Sequence, residues 1–165
     1  MQKILISSCL LGYPVRFDGK KLHKNDPLIK KWMQEKRFIT MCPEVEGGLS
    51  TPRPASEIQN TDGLDVIEGN SRVITISGED VTFAYLKGAE IALKLVQINH
   101  IKMAILKSNS PACGSGTIYD GSFSRRLRTG DGVTTAALKR EGVKVFTENQ
   151  MSEAKEYLKQ IDSDL

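Results

Sequence analysis

Short apolar runs alternate with amphipathic stretches along the chain. Lys3-Ile4-Leu5-Ile6-Ser7-Ser8 is a β-branched run that ends at Cys9 and reads as a buried strand. Gly12-Tyr13-Pro14 through Phe17-Asp18-Gly19 then breaks regular structure. Asp26-Pro27 predicts a helix start, with Asp26 as N-cap and Pro27 at the first position. Leu28, Ile29, Trp32 and Met33 fall on one face of that helix. Arg37 to Met41 predicts a second strand, which ends at Cys42. Pro43 to Asn60 is rich in Gly and Pro and reads as a long ordered loop. Leu64–Ile67 and Arg72–Ile76, joined by Glu68-Gly69-Asn70-Ser71, predict a small β-hairpin. Asp80 is placed to cap a long helix that runs towards Asn99, with Phe83, Leu86, Ile91, Leu95 and Ile98 as core contacts.

Ile101–Leu106 predicts a third buried strand, and its carboxyl end leads towards Cys113. Lys107 to Asp131 is dense in Gly and Ser; loops of that length in a compact domain are functional or disordered. A helix over Gly132–Glu141, a strand over Val143–Phe146 and a helix over Ser152–Ile161 complete the pattern. Strands and helices in strict alternation predict an α/β fold. The expected architecture is one three-layer, Rossmann-like domain over residues 1–165, on a mostly parallel sheet with a small β-hairpin insertion. A chain of 165 residues is of a size to fold as one domain without staples.

Cys9, Cys42 and Cys113 are the only cysteines, and each follows the carboxyl end of a predicted parallel strand. In open α/β sheets, sites form in the crevice outside those ends. Three chain-distant thiols are therefore placed to converge. Thiolates gathered in one place repel one another unless a cation compensates them. The bland alternative is three small buried hydrophobes, which suits strand cores better than Gly- and Pro-bearing loops. No paired CxxC spacing supports a zinc ribbon, although a Cys₃His zinc site through His23 or His100 stays open. Three thiolates suit a [4Fe–4S] cluster with one iron free of protein ligands. An open iron is a Lewis-acid position, and its softness favours a sulfur donor.

Composition adds little to this. With 39% hydrophobic and 26% charged residues the chain is ordinary for a soluble protein, and a net charge of +3 neither demands nor excludes a nucleic-acid partner. An odd number of widely spaced cysteines argues against a secreted disulfide framework. Ile6-Ser7-Ser8-Cys9 looks faintly like a lipoprotein cleavage site, but too few apolar residues precede it for a signal peptide. No stretch approaches the roughly 20 apolar residues of a membrane span. The expected setting is cytoplasmic and reducing.

Six segments occur in order: Ile6-Ser7-Ser8-Cys9-Leu10-Leu11-Gly12, Arg16-Phe17-Asp18-Gly19, Cys42-Pro43-Glu44-Val45-Glu46-Gly47-Gly48-Leu49, Thr51-Pro52-Arg53-Pro54, Lys107-Ser108-Asn109-Ser110-Pro111-Ala112-Cys113-Gly114 and Ile118-Tyr119-Asp120-Gly121-Ser122-Phe123. Together they closely resemble the thiouracil desulfidase family, over nearly the whole chain. The resemblance implies a cytoplasmic, non-redox enzyme that converts thiouracil to uracil and hydrogen sulfide. It implies that Cys9, Cys42 and Cys113 hold a [4Fe–4S] cluster whose fourth iron takes the substrate sulfur. It also implies functional roles for Glu44 and Ser110. Two positions depart from the family pattern: Val15 stands where many members carry a further cysteine, and Phe17 stands for tyrosine. Three cysteines remain, so the implied ligand set is unambiguous.

On this reading Glu44 activates a water, a role that needs burial to raise its pKa towards neutrality. Ser110 positions that water or hydrogen-bonds the base, and Ser108 is the competing hydroxyl. Glu44 paired with Arg53, and Ser110 as a plain turn residue before Pro111, are the structural alternatives. Arg16, Asp18, Lys107, Asp120 and Ser122 lie in the loops expected over the same sheet edge and are candidates to bind the uracil carbonyls and N–H groups. Arg125, Arg126 and Arg128, with Lys139 and Arg140, carry a second reading: desulfuration of 4-thiouridine in tRNA. No RNA-binding motif accompanies them, so a small thiolated base is the favoured partner. A non-catalytic zinc or iron–sulfur module is the third.

Overall fold

The computed structural model describes residues 1–22 and 25–165. His23, one of the two histidines considered as a zinc ligand, lies outside the described residues. The elements in chain order are β1 (Ile4–Ser7), α1 (Pro27–Gln34), β2 (Phe38–Met41), α2 (Pro43–Glu46), β3 (Ser56–Ile58), α3 (Gly63–Ile67), β4 (Val73–Thr75), α4 (Thr82–Ile98), β5 (Met103–Leu106), β6 (Thr117–Tyr119), β7 (Leu127–Thr129), α5 (Val133–Arg140), β8 (Lys144–Thr147) and α6 (Met151–Ser163). A 3₁₀ turn over Ser8–Leu11 follows β1 directly.

Four strands form an entirely parallel sheet in the order β2-β1-β5-β8. Its register sets Ile6 between Thr40 and Ile105, and Leu106 beside Thr147. Successive side chains of a strand face opposite ways, and here they build two cores. Leu5, Met41, Ala104, Leu106 and Val145 pack with residues of α4 and α5 on one face. Ile4, Ile6, Met103, Ile105 and Phe146 pack with residues of α1 and α6 on the other. The architecture is therefore the predicted α/β sandwich on a parallel sheet. Asp26 caps α1 as expected, accepting from Leu28 N at 2.8 Å. No helix among the described residues is long and apolar enough to cross a membrane.

Three local expectations need correction. Leu64–Ile67 is not a strand: it lies in the short helix α3, capped by the Asp62 carboxyl, which accepts from Asp65 N at 3.2 Å. The antiparallel partner of β4 is β3, with Glu57 opposite Ile74, so the hairpin insertion is built from an earlier segment than predicted. A short apolar run has no period of its own to choose between helix and strand, and packing decides. Gly63 lies so close to the Gly132 backbone that a side chain there would meet Gly132 O at 2.4 Å, which seats α3 against α5. Secondly, Phe83 (79% exposed) and Ile98 (74% exposed) lie outside the core; α4 buries Tyr85, Ala89, Ala92 and Val96 instead. Thirdly, both long loops contain structure. The first holds α2 and β3, and the second holds the antiparallel ribbon β6–β7, with Ile118 opposite Arg128.

Candidate active site

The chain crosses from β1 to β2 on one side and returns to β5 on the other. The carboxyl ends of β1 and β5 thus border the crevice where such sheets hold their sites. All three cysteines line one cavity there, of about 440 Å³. Cys9 sits in the 3₁₀ turn that Gly12 terminates at φ 88°. Cys42 is the N-cap of α2, and its Sγ lies 3.9 Å from Val15 O. Cys113 is fixed from several directions: its N–H donates to Ser110 Oγ at 2.8 Å, its carbonyl accepts from Thr135 Oγ1 at 2.8 Å, and its Sγ accepts from Ser7 Oγ at 3.5 Å.

Burial dominates the thiol chemistry. It pushes the Cys9 thiol up to about 11; the neighbouring Cys42 and Glu148 add to the rise, while Lys107 and Arg16 oppose it. Burial raises the Cys42 thiol too, against an opposing hydrogen bond from the Val45 backbone. Cys113 is driven up furthest by burial, with the Ser7 hydroxyl opposing and the other two thiols adding to the rise. Cys9 and Cys113 are buried and Cys42 is half-buried, so the three sulfurs resist ionisation singly and would repel one another as thiolates; such a set suits a cation when ionised. Among the described residues no three His, Cys, Asp or Glu side chains are grouped to hold a single metal ion. The Cys₃His alternative through His100 is not built either. His100 precedes β5, at the amino end of the strand, whereas Cys113 lies beyond its carboxyl end.

Glu44 stands on one wall of the cavity. Its Oε2 accepts from Arg53 Nε at 2.9 Å and from Arg53 Nη2, and its Oε1 accepts from Tyr85 Oη at 3.1 Å. Burial, reinforced by the charge of Glu44, holds the Tyr85 hydroxyl far above its ordinary range, so it remains a donor. Arg53 Nη2 also donates to Val15 O at 3.0 Å, tying the Tyr13–Phe17 loop to the same wall. The helix carrying Glu44 rests directly on α4. A side chain at Gly47 would meet Ala84 O at 2.0 Å, and one at Gly88 would meet Pro43 O at 2.1 Å.

Lys107 and Ser108 also line the cavity. Behind them lies Glu148, the first residue beyond β8, whose side chain is 3% exposed. It accepts from Lys107 Nζ at 2.9 Å, Ser108 Oγ at 2.7 Å and Ser108 N at 2.8 Å. Burial works against its ionisation, but these donors outweigh it and hold the carboxyl below its usual value. The loop between β6 and β7 closes another side. Glu57, only 8% exposed, accepts from Gly121 N at 3.0 Å and Phe123 N at 3.2 Å. Phe123 and Arg125 adopt left-handed φ values of 56° and 61°, and both line the cavity. Such conformations in ordinary residues cluster at functional sites.

Of the residues singled out in the sequence, Arg16, Glu44, Lys107, Ser108, Ser110 and Arg125 line the cavity with the three cysteines. Ser110 Oγ accepts from Cys113 N and keeps its own O–H to donate. Asp18, Asp120 and Ser122 do not line it. Asp18 accepts from Lys20 N at 2.9 Å, and Asp120 accepts from Ser122 N at 2.9 Å, so these side chains close their own turns. Glu57, Tyr85 and Glu148 belong to the site but were not singled out. For Glu148 a signal was present: it follows a strand end, as the three cysteines do.

The sequence profile of the 2-thiouracil desulfurase family matches residues 4–150, a span that takes in every cavity residue named above. The chain belongs to the 2-thiouracil desulfurase family. It is 45% identical over 150 residues to YbbK, an uncharacterized protein of Bacillus subtilis (strain 168); the alignment covers 91% of this chain and 98% of that protein. The solved structure of the [4Fe-4S]-dependent thiouracil desulfidase TudS is similar throughout. Its TM-score is 0.88 at 42% identity, covering 97% of this chain and 99% of that one. Family membership and the parallel-sheet fold thus agree over the same residues.

Proposed function

We propose that this chain removes sulfur from a thiolated pyrimidine base, yielding the oxo-base and hydrogen sulfide, at a [4Fe–4S] cluster held by Cys9, Cys42 and Cys113. The observation that carries the reading is that three free thiols, two buried and Cys42 half-buried, line one cavity at the carboxyl edge of the sheet, and they are the only cysteines in the sequence. TudS, named as a [4Fe-4S]-dependent thiouracil desulfidase, supports both halves of the reading. The cavity draws on residues from Ser7 to Arg125, which supports residues 1–165 acting as one domain. Three free thiols fit a reducing compartment such as the cytoplasm.

When bound, the cluster supplies an open iron, a Lewis-acid position with affinity for sulfur. The residues around it supply the rest. Glu44 accepts a proton from the attacking water, whose oxygen bonds to the ring carbon. Arg53 and Tyr85 fix the carboxylate for that transfer. The ring carbon–sulfur bond breaks as the new carbonyl forms, and the two protons of the water end on sulfide. Ser110 donates its free hydroxyl hydrogen to the water or to a ring carbonyl. Arg16 and Lys107 are the cationic donors facing the remaining base edge. A volume of about 440 Å³ lies within the usual range for a small-molecule site.

The test is iron and acid-labile sulfide per chain after anaerobic purification, followed by sulfide release from thiouracil and from thiolated tRNA. About four of each, for a full cluster, with turnover of the free base, is the expected result. Zinc or no metal after reconstitution overturns the cluster reading. Turnover of tRNA alone transfers the reading to RNA.

A further inference from the structure

Glu148 and Lys107 meet because of sheet register. Leu106 of β5 pairs with Thr147 of β8, so the next residue of each strand emerges beside the other at the carboxyl edge. The resulting ion pair is asymmetric. The Glu148 side chain is 3% exposed and the Lys107 side chain 25%, and only Lys107 of the two lines the cavity. The pair is therefore a local dipole with its positive end at the cavity.

Three contacts hold that carboxylate in place, two of them from Ser108. Lys107 is also anchored through its backbone, whose N–H donates to Ser7 Oγ at 3.0 Å; the same hydroxyl donates to Cys113 Sγ. A buried ion pair contributes little net stability compared with apolar residues of the same volume. Its place at the edge of the cavity points instead to a role for the charge it positions.

We propose that Glu148 is a positioning residue, which holds the Lys107 ammonium at the cavity wall so that it offsets the negative charge of the three thiolates and of the sulfide leaving the substrate. Of the other cations lining the cavity, Arg53 is already engaged by Glu44, and Arg16 and Arg125 are carried by loops, whereas Lys107 directly follows a strand of the sheet. This inference rests on the cluster reading above. It extends that reading to the release of the product anion, a step in which charge develops and a preorganised cation matters most.

The experiment compares the parent holoenzyme with Lys107→Met, Lys107→Arg, Glu148→Gln and the Lys107→Met/Glu148→Gln double variant. Iron content is measured first, then binding of added hydrosulfide, read from the visible absorption and EPR spectra. With iron complete, hydrosulfide binding is expected to weaken about tenfold or more in Lys107→Met and in Glu148→Gln. Lys107→Arg should recover most of it. The double variant should bind no more weakly than Lys107→Met, because Glu148 acts through Lys107. Should Glu148→Gln fail to fold, Glu148→Asp, which keeps the charge on a shorter arm, takes its place in the cycle. Unchanged binding in Lys107→Met, or additive losses in the double variant, overturns the proposal. A parent without iron overturns the cluster reading itself.

Discussion

Arg53 and Glu44 form a buried ion pair in which two guanidinium nitrogens converge on one carboxylate oxygen, while the other oxygen is left to the Tyr85 hydroxyl. Glu44 is thus oriented from both sides and faces the cavity that the three cysteines line. Glu44→Gln keeps the size and the hydrogen-bonding reach but removes the base. The variant should retain its iron and lose about 10²- to 10⁴-fold in kcat. Sulfide release under saturating thiouracil checks this, and near-parental turnover would remove Glu44 from the chemistry. Tyr85→Phe leaves Oε1 without its donor and should lower kcat more mildly, by about tenfold.

The seat of that carboxylate is a glycine contact. Alanine at Gly88 would favour helix α4 by about 1 kcal/mol. Its Cβ, however, would meet Pro43 O at 2.1 Å, and overpacking of this kind costs about 1–3 kcal/mol. Gly88→Ala is expected to lower the urea midpoint and reduce activity together, since α2 carries both Cys42 and Glu44 at its start. A variant as stable and active as the parent would show that α2 can lift from α4 without consequence.

The iron-free protein should have unreactive thiols at neutral pH. Cys9 holds its proton up to about 11, against an ordinary value of 9.0, because it is buried and Cys42 lies near. Iodoacetamide should therefore modify it slowly at pH 8 and faster as pH rises. The sign for stability follows from the raised folded-state value. The contribution is fully present below about pH 9 and is lost as pH rises through 11. The urea midpoint of the iron-free protein should fall over that interval, and metal loading should release protons. Rapid alkylation at pH 8 would contradict the burial argument.

The β6–β7 loop gives a separable effect. Glu57 anchors the backbone of Gly121 and Phe123, and the strained Phe123 and Arg125 follow into the cavity wall. Glu57→Ala should loosen this wall, raising KM about 5- to 10-fold while changing kcat less. Steady-state kinetics on the free base distinguish this from a general loss of fold, which would lower the active fraction and leave KM unchanged.

Some of this was readable from local chemistry. Ile4–Ser7, Met103–Leu106 and Lys144–Thr147 are short apolar runs bounded by turn residues, and the helices between them carry their own start signals, such as Asp26 before Pro27. A parallel sheet with three cysteines at its strand ends follows from those signals. The six ordered segments carried the family resemblance for the same reason, since each is a contiguous stretch of chain.

Contacts between distant segments decided the rest. Leu64–Ile67 became helical because Gly63 meets Gly132, and β4 paired with Ser56–Ile58. No local period encodes either outcome. Asp18 and Asp120 were plausible by position but accept from nearby backbone N–H groups, and the Ser122 hydroxyl turns to the Asp120 carboxyl. Tyr85, Glu57 and Glu148 entered the site through partners 41, 64 and 41 residues away. The sequence by itself determined which strands build the parallel sheet and which side chains stand at their ends, because those are properties of neighbouring residues. Only the tertiary structure decided how the carboxylates are gripped and which charges face the cavity, because register and close backbone packing exist only once the sheet is assembled.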